Sequence, residues 1–460
     1  MQIYQISAWR VHTFHKCSYN SKKLGTLCKA KLWVSMRDLV PGDRGVLVQY
    51  VQLALLRAGF PVTIDGIFGE KTCMGLKEIF SSGQDCKISS TQWEMLLPYL
   101  KGYQTYRVQE GDTLWSVAAH MRSTVQRLTT ANPMVDPANL SAGTVLFVPF
   151  DFPLVSQEVA YSSYLTDWIL EGLLVRYPFL HEEPVGKSVM GRNLTVISIG
   201  EGKKHVFYNA AFHANEWITT PVLLKFAEDY AEAFSRGQQV AGVPASWLYY
   251  GFHLSLLALV NPDGVDLVNG VLDEKNENKY LNQAQQIAAL YPNIPFPQGW
   301  KANIDGIDLN LQFPAGWEQA KEIKYAQGYE TPAPRDYVGE APLTAPESRA
   351  VYDYTRANDF SLILAYHTQG EVIYWKYLDY EPAHSYRIAR YFQEVSGYAV
   401  EETPGASGYA GYKDWFIQEY NRPGYTIEAG LGINPLQMDQ FAKIYEDNIG
   451  ILTGGMTQLF

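Results

Sequence analysis

Cysteine, charge and long apolar runs are all scarce in this 460-residue chain. Four cysteines are too few for a disulfide scaffold, and the spacing of Cys17, Cys28, Cys73 and Cys86 matches no paired C-x-x-C zinc motif. The cysteine content is therefore typical of a reducing compartment, or of one in which disulfides do not matter. No stretch approaches the ~20 uninterrupted apolar residues of a membrane-spanning helix, so no span is predicted.

Positive charge is in deficit, with 37 Lys+Arg against 48 Asp+Glu and a formal net charge of −11. Unspecific binding to nucleic acid or to anionic membranes rewards clustered lysine and arginine, so neither partner is predicted. Apolar residues make up 47% of the chain, which indicates a globular protein rather than a disordered one. The length suggests about three domains.

The basic residues are unusually dense at the N-terminus. Residues 1–35 contain no acidic residue and six cations, which are Arg10, Lys16, Lys22, Lys23, Lys29 and Lys31. Lysine and serine interrupt each apolar run, so the segment lacks the core of a signal peptide. We expect residues 1–36 to be a disordered basic leader, or sequence upstream of a true start at Met36. A targeting arm is the alternative.

Residues 37–102 predict a small helical module. Helical apolar spacing runs from Val46 to Leu56, Gly59 is a plausible C-cap, and a second helix begins near Glu70. Between them lies Ile64-Asp65-Gly66-Ile67-Phe68-Gly69, whose glycines permit turns closed to other residues. Taken alone this is an ordinary helix–turn–helix. With Gly42-Asp43-Arg44-Gly45 it resembles the three-helix peptidoglycan-binding domain of many cell-wall hydrolases.

Residues 103–151 predict a βααβ module. Tyr106 begins a short strand, Asp112 or Thr113 caps a helix, Asn132-Pro133 ends a second helix, and Val145 begins a closing strand. The order of these residues, together with Gly111-Asp112-Thr113-Leu114-Trp115, resembles a LysM domain. Members of that family bind N-acetylglucosamine polymers such as peptidoglycan and chitin.

Residues 152–460 predict one large α/β domain. Apolar, β-rich runs such as Leu194 to Ile199 and His205 to Tyr208 alternate with helical stretches such as Pro221 to Phe234. This alternation predicts a mixed, largely parallel sheet flanked by helices. In such sheets the chemistry is expected where loops leave the strand ends.

Candidate metal ligands follow two of the predicted strands, and a lone acid lies in a third. His213 and Glu216 form an H-x-x-E motif after one strand, and His367 follows the buried-looking strand Leu362 to Tyr366. Two imidazoles and a carboxylate suit zinc, although an H-x-x-E pair by chance, with a satisfied core histidine, is the alternative. Glu428 stands alone inside an apolar strand, which is costly unless it faces a cavity or a cation.

From about Tyr161 to the C-terminus the chain resembles the zinc carboxypeptidase family. The matching motifs are Gly186-Lys187-Ser188 with Gly191-Arg192, the His213/Glu216 pair, Asn261-Pro262-Asp263-Gly264, Gly306-Ile307-Asp308-Leu309-Asn310, His367 and Glu428. The resemblance implies one zinc ion, with His213, Glu216 and His367 as its ligands. It implies that Glu428 is the general base.

The resemblance also assigns supporting residues. Asp308 corresponds to the aspartate that orients a zinc-bound histidine, and Asn310 to a substrate-binding asparagine. Lys301 stands where family members carry an arginine that polarises the scissile carbonyl. A lysine supplies the charge but not the bidentate fork.

Several positions depart from the family pattern. Leu311 replaces the arginine that clamps the C-terminal carboxylate of a peptide, so ordinary exopeptidase specificity is not expected. Lys413 falls at the specificity position of the pocket floor, where it would favour an acidic group, with a solvated surface lysine as the alternative. Tyr409 and Tyr412 are both candidates for the family's mobile tyrosine, and either could simply pack.

These departures and the two wall-binding modules resemble the γ-D-glutamyl-meso-diaminopimelate peptidases, which cut stem peptides of bacterial peptidoglycan. The expected partners are peptidoglycan glycan strands and stem peptides. The alternatives are a metallocarboxypeptidase acting on ordinary peptides and a non-catalytic wall-binding protein. That branch occurs in spore-forming bacteria and some members lack signals, so a cytoplasmic or spore-associated location linked to sporulation is expected. The cell wall or extracellular space is the alternative.

Overall fold

The computed structural model describes residues 36–80, 86–272, 277–405 and 408–459. The predicted basic leader, apart from Met36, lies outside these residues, as do Cys17 and Cys28. Within the described ranges, no helix combines the length and apolar character needed to cross a membrane.

Three helices occupy the first predicted module: α1 (Val46–Ala58), α2 (Glu70–Ile79) and α3 (Ser90–Lys101). Helix α1 ends as expected at Gly59, which takes a left-handed conformation with φ 104°. The buried Gln52 side chain holds the glycine turn, because it donates to Asp65 Oδ1 at 2.7 Å and accepts from Gly66 N at 2.8 Å. Peptidoglycan binding by this module stays a prediction.

One expectation about the cysteines is wrong. Cys73 and Cys86 are joined by a disulfide, with their Cα atoms 5.4 Å apart. Cys73 lies on α2, and the chain returns to it after 13 residues, within the distance that a disulfide spans. This module therefore contains a disulfide, contrary to the expectation from the cysteine content. Sequence spacing excluded a zinc motif but said nothing about which cysteines approach each other.

The second module has the predicted βααβ order: β1 (Tyr103–Arg107), α4 (Leu114–His120), α5 (Val125–Ala131) and β2 (Val145–Pro149), with β1 and β2 antiparallel. Thr113 caps α4, since its side chain accepts from Ser116 N at 3.1 Å. Asn132 joins α5 to β2 by donating to the carbonyls of Leu128 and Phe147.

The third region is an eight-stranded sheet flanked by helices. Its strands are β3 (His181–Lys187), β4 (Asn193–Ile199), β5 (Lys204–Ala210), β8 (Phe252–Leu257), β9 (Phe360–His367), β10 (Val372–Tyr374), β11 (Ala399–Glu401) and β12 (Gly424–Glu428), with β6 (Gln239–Val240) and β7 (Val243–Pro244) as a separate hairpin. The spatial order is β11-β10-β12-β9-β5-β8-β4-β3. The central strands β12, β9, β5 and β8 are parallel, and β3, β4 and β10 pair antiparallel at the sides.

Helices cover both faces of this sheet. They are α6 (Ser163–Arg176), α7 (Thr219–Ser235), α8 (Ala245–Gly251), α9 (Pro262–Val268), α10 (Asn278–Ala289), α11 (Trp317–Ala326), α12 (Pro346–Ala357), α13 (Ser385–Ser396), α14 (Tyr412–Tyr420) and α15 (Phe441–Thr457). Alternate residues of the central strands point to opposite faces. On β5, Val206 and Tyr208 join one apolar cluster, whereas Phe207 joins the other. Burial on both faces explains why these strands read as continuous apolar runs.

The parallel strands bring the predicted site residues to one edge of the sheet. His367 is the last residue of β9 and Glu428 the last of β12, and the two are paired in register. The neighbouring strand β5 ends at Ala210, just before the loop that carries His213. The carboxyl ends of three adjacent strands thus define the candidate site.

The three regions pack against one another. Tyr50 of α1 is fully buried and donates to Ser162 Oγ at 2.8 Å. Arg176 at the end of α6 donates to the carbonyl of Gly102, at the junction of the two modules, at 3.1 Å. The Arg176 guanidinium also lies 3.4 Å from the buried carboxylate of Glu228 on α7. A buried ion pair thus lies where the modules meet the large domain.

Candidate active site

The loop carrying His213 is braced by Asn261. The Asn261 amide donates to the carbonyls of Phe212 and Ala302 at 3.1 and 3.0 Å. These bonds tie the loop that carries His213 to the loop that contains Ala302. A Cβ at Gly264 would lie 2.7 Å from the Ala302 oxygen, so glycine is required for α9 to approach. The Asn-Pro-Asp-Gly motif is therefore a support for the site.

His213, Glu216 and His367 converge with the spacing of zinc ligands. The Nδ1 atoms of the two histidines lie 3.2 Å apart, and each lies 3.0 Å from an oxygen of Glu216. Ligand atoms bound at 2.0–2.1 Å in a tetrahedral zinc site are separated by roughly 3.3 Å. Lone pairs of two imidazoles and a carboxylate facing one another need a cation or protons between them. The cluster therefore fits a zinc ion.

Asp308 fixes the orientation of His213. Asp308 Oδ1 lies 3.1 Å from His213 Nε2, which leaves Nδ1 directed at the cluster. Burial lowers the pKa of His213, but Glu216 and Asp308 outweigh it and raise that pKa to about 9. Burial opposes ionisation of Asp308 as well, yet the charge of His213 holds its pKa well below the usual range.

Glu428 lies beside the cluster in a low-dielectric setting. It ends β12 next to His367, and the preceding strand residues are buried. Burial raises the pKa of Glu428, the charge of His367 opposes the rise, and the charge of Glu216 adds to it. A carboxylate with a raised pKa next to a metal-binding cluster is suited to accept and return a proton.

Lys301 reaches the same cluster from a different loop. Its Nζ donates to Glu216 Oε1 at 2.8 Å, and its carbonyl accepts from Ala214 N at 3.0 Å. Burial lowers the pKa of Lys301, but Glu216 outweighs burial and raises it, while the charge of Arg335 opposes the rise. A protonated ammonium is thus held at the site.

Asn310 and Leu311 lie in a short 3₁₀ turn, Leu309–Leu311, next to Asp308. Asn310 Oδ1 accepts from the backbone N–H of Tyr412 at 3.0 Å, so it joins this turn to α14. Leu311 is buried in a small apolar cluster with Trp317. This position therefore supplies no cation for a peptide C-terminus.

Lys413 is buried, not solvated. Its Nζ donates to the carbonyl of Lys376 at 2.7 Å and forms an ion pair with Asp414. The surface alternative for Lys413 is thereby wrong, because its charge is compensated inside α14. The pair also means that any anion bound by Lys413 would meet the Asp414 carboxylate.

The two tyrosine candidates differ in their surroundings. Tyr412 is fully buried, bonds Thr355 through its hydroxyl at 2.9 Å, and stacks on Phe212, whose ring stacks on His367. Tyr409 is half-buried and lies against Gly316. Tyr412 therefore packs beneath the site, whereas Tyr409 is only partly buried, at the edge of two apolar clusters. Its role stays a prediction.

Sequence reasoning missed Arg335. This residue lies in a loop between α11 and α12 that runs beside Lys301, and its charge acts on Asp308 and Lys301. The local sequence Pro332-Ala333-Pro334-Arg335 has no periodicity and no metal-ligand spacing. No pattern in the chain places it at the site.

Two family models match the chain: zinc carboxypeptidase over residues 167–449 and LysM domain over residues 106–149. The first match covers more than half of the chain, and so the protein belongs to the zinc carboxypeptidase family. It is accordingly a zinc metallopeptidase with a LysM domain, and His213, Glu216 and His367 form the cluster that fits its zinc.

Individual relatives agree with this family. Gamma-D-glutamyl-L-diamino acid endopeptidase 1 of Lysinibacillus sphaericus is 45% identical over 302 residues, 65% of this chain and 72% of the relative. Uncharacterized protein YqgT of Bacillus subtilis (strain 168) is 40% identical over 304 residues, 65% of this chain and 77% of the relative. A crystal structure of thrombin activatable fibrinolysis inhibitor has a TM-score of 0.52 at 14% identity, covering 78% of this chain and 98% of that one. This last likeness is one of fold.

Zinc binding should be linked to proton release from His213. Glu216 and Asp308 raise the pKa of His213 to about 9, so we expect His213 to carry a proton at pH 7 that has to leave when metal binds. We expect zinc affinity to rise about tenfold per pH unit up to about pH 9 from this group. Calorimetry in buffers of different ionisation enthalpy would measure the released proton.

The variant Asp308→Asn provides the control for this linkage. Without the Asp308 carboxylate the pKa of His213 falls, so the steep part of the zinc-affinity curve should move to lower pH. Identical pH curves for the two proteins would contradict the role of Asp308, and the absence of proton release would contradict protonation of His213.

Proposed function

We propose that this protein hydrolyses the γ-D-glutamyl-meso-diaminopimelate bond of peptidoglycan stem peptides. The observation that carries the proposal is the 45% identity to an endopeptidase named for γ-D-glutamyl-L-diamino acid bonds. Leu311 supports it, because ordinary carboxypeptidase action needs a cation where this chain has an apolar side chain. The LysM domain supports a polymeric wall substrate.

Zinc, when held by His213, Glu216 and His367, supplies Lewis-acid polarisation of a water and of the scissile carbonyl. Glu428 would accept the proton of the attacking water on its carboxylate and pass it to the leaving amine. The raised pKa of Glu428 favours both halves of that transfer. The ammonium of Lys301 would stabilise the negative charge that develops on the carbonyl oxygen.

The leaving group of this substrate is itself charged. Diaminopimelate ends in a carboxylate and an ammonium, the charges opposite to those of Lys413 and Asp414, and the buried Lys413–Asp414 ion pair would have to open for these side chains to bind them. We expect Lys413→Ala to lower kcat/KM on a diaminopimelate peptide by roughly 10- to 100-fold, the range for a charged hydrogen bond. Steady-state kinetics would measure this, and unaltered turnover would exclude Lys413 from substrate binding.

Residues 37–151 would hold the enzyme on peptidoglycan and raise the local concentration of stem peptides. Product analysis after digestion of purified peptidoglycan tests the whole proposal. Cleavage after D-glutamate is the expected result. Release of free terminal amino acids would instead indicate a carboxypeptidase, and no release would indicate a binding protein without activity.

A further inference from the structure

Arg335 lies near the cluster of His213, Glu216 and His367, although it belongs to no sequence motif. The backbone N–H groups of Lys301 and Ala302 both donate to the carbonyl of Pro334, at 2.7 and 3.0 Å. The residue after Arg335 is Asp336, whose backbone N–H donates to Asp308 Oδ2 at 3.1 Å. Arg335 is therefore anchored on one side to the Lys301 loop and on the other to the residue that orients His213.

One hydrogen bond positions the guanidinium of Arg335 and leaves its other donors available. Its Nε donates to Asp336 Oδ2 at 2.7 Å, and the other oxygen of Asp336 binds Lys324. Asp336 adopts a left-handed backbone conformation, φ 67°, which its contacts to both cations and to Asp308 hold in place. The Arg335 side chain is 42% exposed. In the part of the chain that the structure describes, its two terminal nitrogens bind no acceptor.

A held guanidinium with two free N–H nitrogens is suited to bind a carboxylate through paired hydrogen bonds. Arg335 follows Pro334, whose carbonyl binds the backbone of Lys301, and the charge of Arg335 opposes the rise in the pKa of Lys301. An anion bound by Arg335 would relieve that repulsion. The site therefore favours a substrate with a carboxylate close to the carbonyl that Lys301 faces.

A γ-glutamyl bond supplies such a carboxylate. Because the glutamyl residue is linked through its side chain, its α-carboxylate is free and lies only a short side chain away from the scissile carbonyl. An ordinary α-linked peptide has no charge at that place. This step rests on the proposed function, which it refines from bond type to the group that is recognised.

We propose that Arg335 binds the α-carboxylate of the γ-linked D-glutamyl residue and so selects γ-glutamyl substrates. Arg335 acts on the acyl side of the bond, whereas the missing clamp at Leu311 concerns the leaving side. Substrate recognition would then depend on a carboxylate that only the γ-linked glutamyl residue presents. Family members with the arginine clamp instead bind the C-terminal carboxylate of an ordinary peptide.

The test compares two substrates with two variants. The substrates are L-alanyl-γ-D-glutamyl-meso-diaminopimelate and its analogue with the glutamyl α-carboxylate converted to a primary amide. On the acid substrate, Arg335→Ala should lower kcat/KM by ~10- to 100-fold, the range for a charged hydrogen bond. On the amide it should change kcat/KM less than about threefold. Arg335→Lys, which keeps the charge without the fork, should fall between wild type and Arg335→Ala on the acid substrate.

The matched control is Arg349→Ala. Arg349 also donates its Nε to an aspartate, Asp353, at 3.1 Å, but on the exposed surface of α12. It should leave both substrates unaffected. Equal losses on acid and amide in Arg335→Ala would overturn the assignment, as would equal rates on the acid in wild type and variant. If wild type cleaves neither substrate, the proposed function itself fails instead.

Discussion

Replacing Glu428 with glutamine is expected to lower kcat by roughly 10³-fold, within the range for loss of a general base. Glutamine keeps the size of the side chain but cannot accept a proton. Glu428 is not among the three cluster residues that fit zinc, so the variant should bind one zinc ion as tightly as the wild type. Kinetics on a γ-D-glutamyl peptide, together with zinc analysis of the same preparation, would measure both effects.

A matched control for this variant is Glu401→Gln. Glu401 also ends a strand of the same sheet, β11, but it is exposed and distant in strand order from β9. It should retain wild-type kcat. Substantial activity in Glu428→Gln with zinc present would exclude Glu428 as the base, whereas loss of zinc would show that the substitution disturbs the cluster.

Replacing Arg176 with methionine is expected to destabilise the folded chain by about 3–5 kcal/mol, the cost of leaving a buried charge without its partner. Both side chains of the Arg176–Glu228 pair are nearly inaccessible, at 1% and 3%. The substitution also removes donors from the carbonyls of Gly102, Phe150 and Phe152. Urea unfolding of the full chain would measure the change.

Two further variants calibrate that result. Arg349→Ala breaks an exposed ion pair and should cost less than about 0.5 kcal/mol. Arg176→Met alone leaves the Glu228 carboxylate buried without its partner. The double substitution Arg176→Met with Glu228→Gln removes that charge, so it should be less destabilising than the two single changes added together. A cost below about 1 kcal/mol for Arg176→Met would mean that the pair does not hold these regions together.

Much of the site was predictable because its residues obey strand geometry. His367 and Glu428 each follow an apolar run, and parallel strands place such residues at one edge of a sheet. The H-x-x-E spacing of His213 and Glu216 completed the cluster. The LysM region was equally predictable, since its turn and cap residues, such as Thr113, act through local hydrogen bonds.

What the sequence left open depends on contacts between distant segments. The burial of Lys413 follows from its contacts with Asp414 and with the carbonyl of Lys376, which no local pattern reveals. The Cys73–Cys86 disulfide depends on how the chain returns to α2. Arg335 reaches the site only because the Pro334 carbonyl binds the Lys301 loop.

The packing of the small modules against the large domain limits which parts of a polymeric substrate can reach the active site. Tyr50 and Arg176 tie the modules to α6 and its surroundings through buried contacts, not through a flexible linker. On the proposed function, a glycan strand bound by the LysM domain would present only those stem peptides that project toward the sheet edge carrying Glu428. Cleavage along one strand would then be limited by the direction in which each stem peptide leaves the bound glycan.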